Sequence, residues 1–222
     1  MISIENLRFA YPRSEFELCI GELEIERGAK VAVVGPSGSG KTTLLNLMSG
    51  IVVPDSGKVA VDGTDVGGLS DAARRDFRIG NIGMVFQQFE LVEYLQVTDN
   101  ILLPFLINRS LRQDAATRRT AIQLAESMGL EGKLKRFPHQ MSQGEQQRVA
   151  ICRALIAKPN LILADEPTGN LDPANKGKIL QLLFDSCERE GQTLIVVTHD
   201  TNILSGFDRI VDFEQFRQEV GA

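Results

Sequence analysis

Cysteine is scarce in this chain of 222 residues. Cys19, Cys152 and Cys187 lie far apart, are odd in number and form no CxxC pair. A disulfide framework is excluded, a reducing compartment fits, and the three thiols read as small buried hydrophobes. Long apolar runs are missing as well. The longest stretch worth testing is Ile101–Ile107, which Pro104 interrupts, whereas a bilayer crossing needs about 20 residues. The opening MISIENLRFAYP has no basic segment leading into a long apolar one, so no signal peptide is expected. An excess of positive charge is also lacking. The 24 Lys and Arg against 29 Asp and Glu leave −5, a poor balance for coating nucleic acid. The expectation is a cytoplasmic protein with no nucleic-acid partner, reaching a membrane only through another protein.

What is present is ordinary globular sequence. Hydrophobic residues at 43% and charged residues at 24% exclude disorder and collagen-like structure. At about 150 residues per domain, the length fits one large domain or one domain with an inserted lobe. Ile2–Phe9, Phe16–Ile25 and Lys30–Val34 read as strands. VPDSGKVAVDG reads as turn, strand and turn, and Asn81–Phe86 is strand-like. Residues 98–157 read as helical almost throughout and carry the basic patch Arg109, Arg112, Arg118 and Arg119, the pattern of a solvated helix face. Strand signals return at Leu161–Ala164 and Thr193–Thr198. A helix between them is carried by Ile179, Leu182, Leu183 and Cys187.

Gly35-Pro36-Ser37-Gly38-Ser39-Gly40-Lys41-Thr42 matches G-x-x-x-x-G-K-[ST] and sits between an expected strand and an expected helix, the context that gives this pattern its meaning. Glycines let successive backbone N–H groups turn toward phosphate oxygens. The helix that follows presents unpaired N–H groups and its positive end to the same anion. Lys41 supplies a point charge for the outer phosphates, and the Thr42 hydroxyl can ligate Mg²⁺. The loop points to nucleoside triphosphate binding without saying which NTPase this is.

Leu161-Ile162-Leu163-Ala164-Asp165-Glu166 is an apolar strand ending in two acids. A carboxylate at the end of a buried strand is costly unless it meets a cation. Asp165 is therefore a metal-ligand candidate, direct or through water, and Glu166 is placed to polarise an attacking water; a solvated loop acid is the plainer alternative for each. His199 closes the apolar strand TLIVVTH. A lone histidine there is often structural, but open α/β sheets bind ligands at the carboxyl ends of their strands. His139, the other histidine, has no evident partner.

Met141-Ser142-Gln143-Gly144-Glu145-Gln146-Gln147-Arg148 has two compatible readings. One is a capping box, Ser142 capping and Glu145 reaching back, ahead of a helix that buries Val149, Cys152 and Ile156. The other is a second anion site at a helix N-terminus. At this point the chain resembles the nucleotide-binding subunit of ABC transporters over essentially its whole length. GPSGSGKTT looks like that family's Walker A, Gln87 in IGMVFQ like its Q-loop glutamine, and MSQGEQQR like its signature. LILADEP looks like its Walker B with the catalytic glutamate, Gly169-Asn170-Leu171-Asp172 like its D-loop, and His199 like its switch histidine. Tyr11 sits where the family stacks an aromatic on adenine, and could also be a core aromatic. Asp172 before Pro173 is also a good helix start.

The resemblance implies an α/β fold: a RecA-like P-loop NTPase core with an N-terminal antiparallel β part and an inserted helical lobe. The whole chain, 1–222, would be one ABC ATPase domain, with the core at about 1–87 and 158–222 and the lobe at about 88–157. It implies an ATPase using ATP and Mg²⁺, with Glu166, His199 and Gln87 catalytic and Thr42, Gln87 and Asp165 at the metal. It also implies a head-to-tail dimer of two copies. Each ATP would lie between Tyr11 and Gly35–Thr43 of one copy and Ser142, Gln143, Gly144 and Glu145 of the other, with Asp172 at the interface. The further partner is an integral membrane permease subunit, at the cytoplasmic face of the inner membrane. Hydrolysis would open the dimer and move that subunit.

The chain departs from the family pattern in three places. Met141 and Gln143 stand where Leu and Gly are usual in the signature. Met for Leu conserves volume; Gln for Gly gives up the closest backbone approach to phosphate, so altered dimer affinity is expected. After FDRIVDFEQF the usual glycine-containing hairpin is missing, and no regulatory domain is expected. The stretches VFQQFELVEYLQVTDNILLP and ADEPTGNLD are similar to the branch with lipoprotein-release, macrolide-efflux and cell-division ATPases. The leading expectation is the motor of an exporter or mechanical-transmission system. The alternative is an ATPase signalling module of a non-transporting, cell-division-type complex. A soluble translation or repair factor lacks support, having neither a second cassette nor a long coiled coil here. A P-loop kinase is disfavoured by the signature, by His199 and by the lack of an acceptor lid.

Overall fold

The computed structural model describes residues 1–108, 110–169, 171 and 173–216, the side chains of 173–175 excepted. Arg109, Asn170, Asp172 and the C-terminal 217–222 fall outside the described residues, so the expectations placed on them are not addressed. Strands β1 (Ile2–Ala10), β2 (Glu17–Ile25), β4 (Ser56–Val61) and β5 (Thr64–Asp65) form an antiparallel sheet in the order β2-β1-β4-β5. Strands β3 (Lys30–Val34), β6 (Ile82–Val85), β7 (Leu161–Asp165), β8 (Thr193–Thr198) and β9 (Arg209–Asp212) form a parallel sheet in the order β6-β7-β8-β3-β9.

The central strands of the parallel sheet are buried on both faces, and the side-chain alternation of β7 and β8 shows how. Leu161 and Leu163 of β7, with Ile195 and Val197 of β8, join a core shared with the antiparallel sheet and with helix α1 (Lys41–Met48). Ile162 and Ala164, with Leu194 and Val196, join a second core shared with α6 (Gln143–Leu155), α7 (Pro173–Glu190) and the intervening helices. A strand buried on both sides reads as a continuous apolar run, which is what LILA and TLIVV are. Cys152 and Cys187 pack in the second core, and burial pushes both thiols up. Cys19 departs from the expectation: it is only half-buried, and its thiol donates to Glu17 Oε1 at 3.5 Å.

Between β6 and β7 lie α3 (Val97–Ile101), α4 (Leu103–Ile107), α5 (Ala115–Ser127) and α6. This region is less continuously helical than 98–157 suggested. Pro104 lies in the first turn of α4, separating it from α3. The segment after α5 turns through Gly129 and Gly132, both at positive φ, and reaches a short 3₁₀ turn at Pro138–Gln140. His139 has a partner after all: its ring stacks on Phe137 at 5.8 Å. Helix α2 (Asp71–Asn81) was not expected at all. Ser70 caps it, accepting from the Ala73 N–H. It buries no residue fully and carries few large apolar side chains, Phe77 being the one packed against the core.

Helix α6 leans on β6 at one close approach. A β-carbon at Gly83 would lie 2.3 Å from the Ala154 carbonyl oxygen, so only glycine lets the helix backbone reach the strand. We expect Gly83→Ala to destabilise the protein by about 1–3 kcal/mol through overpacking, read as a lower midpoint in urea unfolding; an unchanged midpoint would contradict this contact.

Candidate active site

Four segments meet at the carboxyl ends of the parallel strands. The first runs from Val34 at the end of β3 to α1, through Gly35-Pro36-Ser37-Gly38-Ser39-Gly40. Gly40 caps α1 at φ 105°, and a β-carbon there would lie 2.6 Å from Phe16 Cζ. Phe16 therefore covers the loop, a contact no local pattern announces. The Lys41 ammonium is buried and donates to the carbonyls of Gly35 and Pro36, each at 2.7 Å. Burial holds it below its ordinary value, opposed by the charges of Glu166 and Asp165. The Ser39 hydroxyl is buried in the loop without a hydrogen-bond partner.

The second segment is the end of β7. The Thr42 hydroxyl donates to Asp165 Oδ2 at 2.8 Å, joining the helix start to the strand end across 123 residues of sequence. Burial raises the Asp165 carboxyl above its usual range; Glu166 adds to the rise, while the Thr42 hydroxyl and the Lys41 charge oppose it. A hydroxyl and a carboxylate are hard oxygen donors, the kind Mg²⁺ takes in ones or twos beside phosphate and water. The donor set fits that ion.

Glu166 stands at φ 44°, a region that costs a non-glycine residue about 1–3 kcal/mol. Its N–H donates to the Val197 carbonyl at 3.0 Å, and its carbonyl accepts from Gly169 N–H at 3.0 Å. Both carboxylate oxygens are held by the third segment, the end of β8. His199 Nδ1–H donates to Oε1 at 2.6 Å, and the Thr198 hydroxyl donates to Oε2 at 3.2 Å. A carboxylate only accepts, so the proton in this bond is carried by Nδ1. Thr198 is the member sequence reading missed, hidden as one more apolar-looking position of TLIVVT.

The fourth segment follows β6. A β-carbon at Gly169 would lie 3.3 Å from Gln87 Nε2, so Gln87 reaches the turn that Glu166 opens. Tyr11 is exposed beside the loop. Its hydroxyl lies 3.3 Å from Thr43 Oγ1, and its ring packs edge-on against Phe9 at 4.8 Å and near Phe16 at 6.0 Å.

Ser142–Glu145 are not bonded to this group. Ser142 caps α6, accepting from Glu145 N–H at 3.4 Å, while its own N–H donates to Glu145 Oε2 at 2.9 Å. The capping box is thus present. Lys133, unremarked in the sequence, pairs with Glu145 Oε1 and holds that carboxyl below its usual value, aided by the Ser142 N–H. Ser142 and Gln143 are exposed. A β-carbon at Gly144 would lie 4.0 Å from Leu171 Cδ2, which puts the helix start beside the segment that follows β7.

Comparison with known proteins places the chain in a family. The ABC transporter family pattern matches residues 21–169. The lipoprotein-releasing system ATP-binding protein LolD of Bacteroides thetaiotaomicron is 44% identical over 190 residues, covering 86% of each chain. The macrolide export ATP-binding/permease protein MacB of Rhodopirellula baltica is 42% identical over 214 residues, 95% of this chain and 31% of that protein. Among solved structures, the post-hydrolysis dimer of the ATP-binding cassette MJ0796 bound to ADP and Pi superposes with a TM-score of 0.84 at 37% identity, covering 95% of this chain and 93% of that one. The chain belongs to the ABC transporter family.

The Glu145 pairing generates a test. Its lowered carboxyl contributes stability in full above the ordinary value near 4.5, and that contribution is lost as pH falls through the lowered value. Glu145→Ala should cost about 0.5–1 kcal/mol near neutrality, the size of one ion pair and one capping bond, and the gap between variant and parent melting temperatures should close in acid. A gap independent of pH would contradict the pairing.

Proposed function

We propose that this chain is the ATP-hydrolysing subunit of a membrane transport complex and works as a pair of copies. The observation that carries the reading is the grip on Glu166. Its carboxylate is fixed by His199 and Thr198, beside the Thr42–Asp165 pair and the Lys41 loop. The loop N–H groups of Gly35–Thr43 and the Lys41 ammonium bind the phosphates, Lys41 exchanging a carbonyl for a phosphate oxygen, and Tyr11 borders the base. Thr42 and Asp165, with Gln87, would hold Mg²⁺, which when bound neutralises charge on the outer phosphates.

Glu166 accepts a proton from the attacking water while His199 Nδ1–H keeps its carboxylate oriented. Water adds to the terminal phosphorus, the bond to the leaving oxygen breaks, and ADP and phosphate result. Ser142, Gln143, Gly144 and Glu145 are exposed or partly exposed at a capped helix start. In a head-to-tail pair they face the other copy's nucleotide, with Asp172 at the same interface. Residues 88–157 form the lobe that carries them, inserted into the core of 1–87 and 158–222.

An open groove lined by Ile79, Met84, Phe86, Leu103, Pro104 and Ile107 lies beside the Gln87 segment. It suits the apolar face of a helix from the membrane subunit. Among the described residues no helix is long and apolar enough to cross a membrane. Seated on that subunit, the chain would be peripheral, at the cytoplasmic face. The names of the LolD and MacB relatives support an exporter or mechanical-transmission system.

Two variants test the division of labour. Glu166→Gln should keep ATP binding and lose at least about a hundredfold in turnover, accumulating an ATP-bound dimer. Lys41→Ala should instead weaken nucleotide binding itself, by tens of fold for a charged hydrogen bond lost. Turnover by Glu166→Gln at the parent rate would remove Glu166 as the base; unchanged affinity in Lys41→Ala would remove the lysine from the phosphates.

A further inference from the structure

Arg153 is a buried cation that the hydrolytic reading leaves without a task. It lies near the C-terminal end of α6, is 8% exposed, and bonds to no carboxylate among the described residues. Its guanidinium donates instead to two main-chain carbonyls, Phe89 through Nη2 at 2.6 Å and Glu90 through Nη1. Both carbonyls belong to residues in the left-handed region, Phe89 at φ 59° and Glu90 at φ 50°. Two consecutive non-glycine residues do not hold that conformation unless their surroundings impose it.

The held segment is the one that presents Gln87. Strand β6 ends at Val85, fixed by its pairing with Ala164. Phe86 accepts from Phe89 N–H at 3.1 Å, closing a turn with Gln87 and Gln88 at its centre. Gln87 is therefore suspended between a paired strand and a pair of carbonyls gripped by Arg153. Its side-chain nitrogen reaches the turn between Glu166 and Gly169. The neighbour of Arg153, Ala154, touches β6 at Gly83, so the grip starts from a part of α6 already seated on the sheet.

We propose that Arg153 is the positioning residue for Gln87. By holding the carbonyls of Phe89 and Glu90 it fixes the turn 86–89 at the distance from Glu166 that turnover needs. It also ties that turn to the helix whose other end is Ser142. Arg153 also borders the open groove, as do Phe86 and Glu90, so a segment seated there would press on the same turn. This rests on the reading of the site as ATP-hydrolysing.

The test is a double-mutant comparison of turnover and nucleotide affinity in the full chain. Arg153→Met removes the donors and keeps the bulk. It should lower turnover about tenfold to a hundredfold, the size of effect a misplaced group produces, with nucleotide affinity unchanged. In a Gln87→Ala background, Arg153→Met should lower turnover no further, because the residue it acts through is gone. Arg153→Lys, which keeps the charge and can reach one carbonyl, is the second variant should Met not fold. It should show a smaller loss that also vanishes with Gln87→Ala. If Gln87→Ala lowers turnover and either Arg153 variant multiplies that loss, or lowers affinity in step with turnover, the positioning role is overturned while the hydrolytic reading stands. If Gln87→Ala leaves turnover intact, the assignment of Gln87 falls and the role of Arg153 with it. Failure of Arg153→Lys to fold would assign the residue to stability alone and overturn the proposal.

Discussion

The parallel register of β3, β8 and β7 holds the site together. Val34 pairs with Thr198, and Asp165 pairs with Val197, so three strands end at one level and their loops emerge side by side. Glu166 N–H extends the ladder by one rung, donating to Val197 O. A one-residue slip would move each strand's side chains to the opposite face. It would exchange the side chains that fit the two cores and separate Asp165 from Thr42. Burial of both faces is what forbids the slip. Chemistry at the edge thus depends on apolar packing on either side of the sheet.

The edge stores electrostatic and conformational cost. Lys41 and Asp165 are both shifted toward their neutral forms by burial, and Glu166, Phe89 and Glu90 occupy the left-handed region. Each such residue costs about 1–3 kcal/mol, while a hydrogen bond to a charged group returns about 1.5–3 kcal/mol. The two bonds from Arg153 are therefore large enough to hold Phe89 and Glu90, and the bonds from His199 and Thr198 large enough to hold Glu166. Structures that hold strain in this way tend to do so where function requires a fixed geometry.

Local features of this edge were readable in the sequence because each is carried by contiguous residues: the glycine loop between strand and helix, the apolar run ending in Asp165 and Glu166, and the box Ser142–Glu145. The features that were not readable are tertiary. Phe16 meets Gly40, Lys133 meets Glu145, and Arg153 meets Phe89 across 64 residues. No spacing rule links such pairs. Thr198 was hidden because a hydroxyl that bonds a buried carboxylate looks, in sequence, like any β-branched strand residue. Helix α2 was missed because it is rich in charge and poor in large apolar residues, with Phe77 packed against the core and no side chain fully buried. The helical region 98–157 was over-extended because its apolar density masked the breaks at Pro104, Gly129 and Gly132.

The two parts of the proposed site lie apart in one chain. The loop 35–43 is bonded to the sheet edge through Thr42 and Asp165, while among the described residues Ser142 and Glu145 bond to each other and to Lys133. The proposed site, built from both parts, needs a second copy. Hydrogen exchange on Glu166→Gln, with and without ATP and Mg²⁺ and at several protein concentrations, tests this most directly. The account predicts that amides of 35–43 and of 142–145 become protected together, the second group only at concentrations where the dimer forms. Protection confined to 35–43 at every concentration would show a site complete in one chain and contradict it.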